Sequence, residues 1–399
     1  MAETHKTELH IQKYIPAQNL KLVSIAFMAI GLVGFVIGLM RNQERLWSAY
    51  LVAFFFVTCL GVGGLFFTAI LNLSKAGWSA SIRRLAESMT SFFPIIIVGS
   101  LVLIFGLKYL YPWARPEVVL DSPVIQAKTA YLNTGFLVFR LMSFAIGMFL
   151  FGRKIVGNSI KQDQTGDVKL TESNVGWSIG WVLFFAISFS LFSVDLLMSL
   201  LPSWYSTIFG IYCFAGLFQS SLAFLILILL YLRQQKVVSG YYTDDHIHDV
   251  AKFMKGFTVF WAYIAFSQFM LIWYANIPEE TEFYLMRAEG GWMAISFGLL
   301  FFKFIVPFLV LLPRAAKRSP GNLVAVCVLL LVMQYMDIYW LVYPNFNEGQ
   351  VVFGFYEVAM LLLFLGVFLM TIMRFLQKNS VVAIKDPRMH EALHHHVTY

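Results

Sequence analysis

Ten long runs of apolar residues, at 20–40, 47–73, 92–111, 128–152, 175–200, 206–232, 250–276, 290–312, 322–342 and 351–375, dominate this chain. A run of about 20 residues rising roughly 1.5 Å each crosses a hydrocarbon core of about 30 Å as a helix. Lipid offers no partner to a backbone N–H or C=O, so a spanning segment must be a helix or a closed barrel. A barrel needs short alternating strands, which these continuous runs are not. Hydrophobic residues make up 59% of the chain and charged residues 13%, against about 25% charged in a soluble domain. The expectation is an all-α integral membrane protein of about ten helices. It forms a single polytopic domain over 1–399, with short tails at 1–19 and 377–399. The first run lies far from Met1 and has no small-residue cleavage site, so it reads as a span and not as a removed signal peptide.

Orientation follows from Lys and Arg, which concentrate on the cytoplasmic side. The two tails and the even-numbered connections hold 19 of the 29 basic residues, among them Lys6, Lys75, Arg83, Arg153, Lys169, Arg233, Arg314 and Arg388. The odd-numbered connections hold 6, namely Arg41, Arg45, Lys108, Arg115, Lys128 and Arg287. This places both termini in the cytoplasm. The formal charge of +7 then reflects topology and anionic lipid headgroups, and no nucleic acid is expected as a partner.

Most connections are short, so sequential helices should pack antiparallel. The connection at 153–174 is polar and is expected to be mobile. In residues 77–90, Trp78, Ile82, Leu85 and Met89 recur at helical spacing opposite Arg83, Arg84 and Glu87. That pattern predicts an amphipathic helix on the cytoplasmic membrane surface, the alternative being a simple extension of the next span. Gly31, Gly34 and Gly38, with Gly61, Gly63 and Gly64, are expected to let helix backbones approach. Cys59, Cys213 and Cys327 have no ligand or disulfide spacing and read as small buried residues.

The eight histidines, His5, His10, His246, His248, His390, His394, His395 and His396, all lie away from span centres. No pair can clamp a haem inside the bundle, and no C-x-x-C-H or cysteine cluster is present. Cofactors bound by this chain are therefore expected to be none. His246, His248 and Asp249 do not share one helix face, so a helix start with a capping Asp is favoured over a metal site. The run His394–His396 is expected to be a solvated end.

A charge near a span centre costs about 2.5–3.5 kcal/mol on insertion scales, so each one demands a reason. Arg140 lies mid-way through the fourth run, Asp195 in the outer third of the fifth, and Lys303 deep in the eighth. Asp337 and Glu357 lie in the outer parts of the ninth and tenth, and Lys252 and Lys255 enter the seventh behind His248 and Asp249. These nine residues are the candidates for a proton path. His248, Asp249, Lys252 and Lys255 form its cytoplasmic entrance, Lys303 and Arg140 its middle, and Asp195, Asp337 and Glu357 its outer part. The competing account is static ion pairs that fix helix register. Pro307 lacks an N–H and leaves the Lys303 carbonyl without its helical donor, which predicts a local break at Lys303.

Three stretches carry a family resemblance. They are Gly64–Ile70 with Ala76–Ser79 and Ile82–Glu87; Ser193–Ser199 with Trp204–Gly210; and His248–Asp249 with Phe260–Gln268 and Trp273–Glu280. Together they resemble the F subunit of bacterial Alternative Complex III, a member of the NrfD-like group of polysulfide-reductase membrane subunits. The resemblance implies two four-helix bundles, from spans 2–5 and 6–9, with two flanking helices. It also implies a quinol:cytochrome c/high-potential-acceptor oxidoreductase in the bacterial cytoplasmic (inner) membrane, with menaquinol or another quinol as the substrate of the complex. The implied partners are a larger NrfD-like paralogue, periplasmic multihaem cytochrome and iron–sulfur subunits carrying haem c and the clusters, and small membrane subunits. The resemblance also attributes the quinol site to the larger paralogue, and no span of this chain holds a mid-membrane His to complete a His/Asp quinol pair. The expected role here is a proton-translocation path, a scaffold, or both. The rival is a secondary transporter of a small molecule or ion.

Overall fold

In a computed structural model of the chain, residues 9–396 are described; His5 and Lys6 lie outside them. Each of the ten apolar runs becomes a helix long enough to cross a membrane. The spans are Gln18–Arg41, Gln43–Leu73, Arg83–Leu110, Thr134–Thr165, Lys169–Leu200, Phe209–Gln234, Asp244–Ala275, Trp292–Val310, Pro320–Asn345 and Phe355–Lys378, numbered 1 to 10 below. The chain is thus an all-α, multi-pass membrane protein. An even number of crossings leaves both ends on one side, called here the tail face.

Local chemistry sets the boundaries. Asn42 alone separates spans 1 and 2, and its side chain accepts from Arg45 N at 3.1 Å. Asn133 caps span 4 by accepting from Phe136 N at 2.8 Å. Pro320 opens span 9, where a missing N–H is harmless.

Spans 2, 3, 4 and 5 pack in a ring, each against the next, and span 5 returns to span 2. Spans 6, 7, 8 and 9 form a second ring of the same kind. Spans 2 and 6 meet at the centre and are the most deeply buried of the ten. Spans 1 and 10 pair with each other, and span 10 leans on span 2. The glycines work as expected. A Cβ on Gly31 would overlap Leu363, one on Gly34 would overlap Ala359, and one on Gly63 would overlap Ser221.

Three expectations are corrected. Residues 77–90 do not lie on the lipid surface, because span 3 begins at Arg83 and Arg83, Arg84 and Glu87 are buried in protein. Arg84 Nε sits 2.8 Å from Glu87 and its Nη1 2.8 Å from Asp163, while Arg83 pairs with Asp386. The polar side of that amphipathic pattern therefore faces other charges and not water. Residues 153–174 are not a mobile loop. Spans 4 and 5 continue through them as helices and turn only around Gly166, at φ +69°. The run His394–His396 is a solvated end only in part: His394 and His396 are exposed but His395 is half-buried. The tail before it is packed, with Val381, Val382 and Ala383 buried and a short tail helix, Met389–Leu393, on Gly77–Ser79.

On the opposite face, a lateral helix, Pro278–Ala288, links spans 7 and 8. Its Arg287 is buried and donates to the carbonyls of Trp340 at 3.1 Å and Leu341 at 2.8 Å, capping span 9. A third bond reaches Phe283 O at 2.7 Å. Burial pushes this guanidinium down to about 9, which leaves it charged at neutral pH.

Candidate proton-handling site

The ring of spans 6–9 encloses Lys303 and Asp337, both essentially inaccessible. They form an ion pair. Lys303 Nζ also donates to Gln334 Oε1 and sits 4.3 Å from the centroid of the Trp261 ring. Its three N–H directions therefore each have an acceptor. Asp337 accepts in addition from Trp261 Nε1 at 3.1 Å and from the Tyr212 hydroxyl. Each of the four spans contributes at least one of these groups. Span 8 is π-helical over Leu299–Ile305, so the break expected at Lys303 is a π-turn that aims the lysine inward. Gly216 of span 6 makes room for the Gln334 amide, which a Cβ there would displace.

Neutral polar groups continue on both sides of the pair. Toward the tail face, Gln219 Nε2 donates to Thr258 Oγ1 at 2.9 Å. Toward the opposite face, Gln268 Nε2 donates to the Tyr284 hydroxyl at 3.3 Å and Ser206 Oγ to Gln268 Oε1 at 3.3 Å. None of these residues carries a charge, so the charge pattern of the spans does not mark them. Glutamines inside apolar spans, at 219, 268 and 334, were the available signal.

Arg140 and Asp195 meet in the other ring. The guanidinium is bidentate, with Nε 2.8 Å from Oδ2 and Nη2 2.9 Å from Oδ1. It lies 3.9 Å from the centroid of the Tyr131 ring and 4.2 Å from that of Phe136. The Tyr131 hydroxyl donates to Asp195 Oδ1 at 3.0 Å, and burial, then the Asp195 charge, pushes that phenol up to about 12.

At the tail face, span 7 starts at Asp244 behind Thr243, whose backbone N–H donates to His246 Nδ1 at 3.1 Å. A helix does start beside this cluster, but the expected capping Asp is corrected: Thr243 is the cap and His246 its reciprocal partner, while Asp249 lies one turn further in. Asp249 Oδ1 lies 2.9 Å from Lys252 Nζ and 3.8 Å from His248 Nδ1. Lys255 lies apart from them, over the Phe308 ring at 5.2 Å.

Glu357 stands in the first turn of span 10 on the opposite face, bonded to Arg45 through both oxygens at 2.8 Å. It also accepts from the Tyr343 hydroxyl at 2.6 Å and from Gly354 N at 2.7 Å. These contacts make it the cap of span 10.

The nine candidates thus fall into five places, with Lys255 by itself over Phe308, and hydrogen bonds among the described residues do not join them into a single line. Lys303 meets Asp337, Arg140 meets Asp195, Asp249 meets Lys252 and His248, and Glu357 meets none of the other eight. No family model and no curated protein sequence matched the chain.

Proposed function

We propose that this chain is a cofactor-free membrane subunit of a quinol:cytochrome c/high-potential-acceptor oxidoreductase, contributing a proton-translocation path through spans 6–9. On this reading it sits in the bacterial inner membrane with the tail face cytoplasmic. Haem c and iron–sulfur clusters belong to partner subunits, and the larger paralogue takes the quinol. The observation that carries the proposal is the Lys303–Asp337 pair, two ionisable groups sealed inside a helix ring. A buried pair is a poor way to gain stability, since apolar residues of similar volume often do as well. A protonatable pair with hydroxyl and amide groups on both sides offers instead a place to hold and pass a proton. Along span 7, Trp261 lies 12 residues beyond Asp249, about 18 Å at 1.5 Å per residue. The entrance and the pair are therefore separate stations, with Thr258 and Gln219 between them.

The test is proton stoichiometry in the assembled complex. Lys303→Met and Asp337→Asn should lower protons moved per electron while subunits still co-purify. Unchanged stoichiometry in a fully assembled variant removes the pair from the path. The π-turn at a buried lysine supports a second reading, a secondary transporter, since such carriers interrupt helices at the substrate. Purification separates the two readings: co-elution with haem-bearing subunits supports the first, and a haem-free chain that takes up substrate supports the second.

A further inference from the structure

Residues 380–396 form a strap across the tail face. Asp386 is buried against Arg83, and Lys385 Nζ donates to Gln164 O at 2.8 Å. The tail helix Met389–Leu393 then seats on Gly77–Ser79. Gly77 brings the two into close contact: a Cβ there would meet the Glu391 side chain, which would have to move aside. This path ends by laying His395 on span 7. Its Nε2 lies 2.7 Å from Asp249 Oδ2, and its ring centroid is 5.7 Å from Trp78 and 5.1 Å from His246.

The His395 side chain keeps 20% of its surface exposed, while Asp249 beneath it keeps 12%. The strap therefore covers the acid and interposes an imidazole between that acid and water. Facing His395 from the packed elements are Asp249, His246 and Lys252 of span 7 and Trp78 of the adjoining turn. Asp245, held by Arg318 and 3.8 Å from His396, completes the surround, with Glu391 and His394 on the strap itself.

We propose that His395 is the proton-collecting residue of the tail face, and that docking of the strap is what places it there. The inference rests on the proton-path reading above. The partner of Nε2 is a carboxylate, so Nε2 carries the hydrogen. A proton from water or buffer adds at Nδ1 to give the imidazolium. The Nε2 proton then passes to Asp249, leaving a neutral ring protonated at Nδ1 and a neutral carboxyl. Ring reorientation or exchange with solvent restores the starting tautomer.

The experiment uses the full chain in its native membrane assembly. His395→Ala should slow proton uptake by about 100-fold, the low end of what a positioned proton-transfer group contributes. Added imidazole should restore the rate. His395→Gln can still donate to Asp249 but cannot carry a proton, and should show the same loss with the strap docked. Docking is read from trypsin resistance at Lys385 and Arg388. Normal uptake in His395→Gln, with Lys303→Met inactive, overturns the inference and leaves the path reading standing. Normal uptake in both overturns both. A loss that imidazole does not restore, accompanied by a trypsin-sensitive strap, also overturns the inference, because His395 would then act only as a tether.

Discussion

The Lys303–Asp337 pair makes a quantitative prediction that is independent of what the chain does in the membrane. Lys303→Met leaves a buried carboxylate with the Tyr212 and Trp261 donors but no cation. Asp337→Asn leaves a buried ammonium with one amide oxygen and an aromatic face. Breaking a buried pair from one side costs about 3–5 kcal/mol, because the orphaned charge has no water to return to. The double variant Lys303→Met/Asp337→Asn buries no charge. Tyr212 and Trp261 reach different oxygens of Asp337, so the asparagine oxygen can keep the Trp261 bond while its amide N–H donates to the turned Tyr212 hydroxyl. The loss is then about 2 kcal/mol, set by the hydrogen bonds weakened. Two singles of about 3 kcal/mol each against a double of about 2 give a coupling on the order of 4 kcal/mol. Reversible unfolding of the purified chain in mixed micelles measures all four corners of the cycle. Losses that add to within about 0.5 kcal/mol would mean the two groups do not share a site, and the geometry described here would be refuted.

Other perturbations test the scaffold. Gly34→Val should destabilise the chain by about 1–3 kcal/mol by forcing spans 1 and 10 apart, whereas Gly176→Ala, with open space around it, should change stability by less than about 0.5 kcal/mol; micelle unfolding compares them. Arg287→Lys replaces a planar fork by a single ammonium and should cost about 1–3 kcal/mol for each buried carbonyl left unpaired at the end of span 9, with faster hydrogen exchange there. Lys317, outside the spans, donates to Leu311 O, Leu312 O and Pro313 O. Burial, then the Lys255 and Lys252 charges, holds its ammonium below the ordinary lysine range. Between the folded and unfolded pKa values the unfolded chain binds the additional proton, so stability rises with pH across that alkaline window. Lys317→Met should flatten that rise in an unfolding series against pH.

The spans were legible because length and apolarity are local properties. The two rings followed from the resemblance, and the packing reproduces them. What the sequence hid was pairing across distance. Glu357 looked like an intramembrane acid, yet its partner Arg45 lies at the far end of the chain. Arg83, Arg84 and Glu87 looked like a water-facing side because their acids, Asp163 and Asp386, come from two other segments. His395 looked like part of a solvated end because nothing local announces that Arg83 will anchor the strap. Glutamine was the remaining blind spot, since it carries no charge and yet Gln334 completes the shell of Lys303.

The pairing of spans 1 and 10 also bears on how the chain is made. Gly34 must wait for Ala359, roughly 300 residues later, which is about 15–60 s at about 5–20 residues per second. During that interval span 1 stands in lipid with a glycine-lined groove and no occupant. It is the most apolar of the ten spans and one of the least buried in the finished fold, which suits a helix that inserts first and finds its mate last. Any nascent chain stopped before span 10 leaves that groove open, an address at which assembly factors or quality-control proteases can recognise an unfinished molecule.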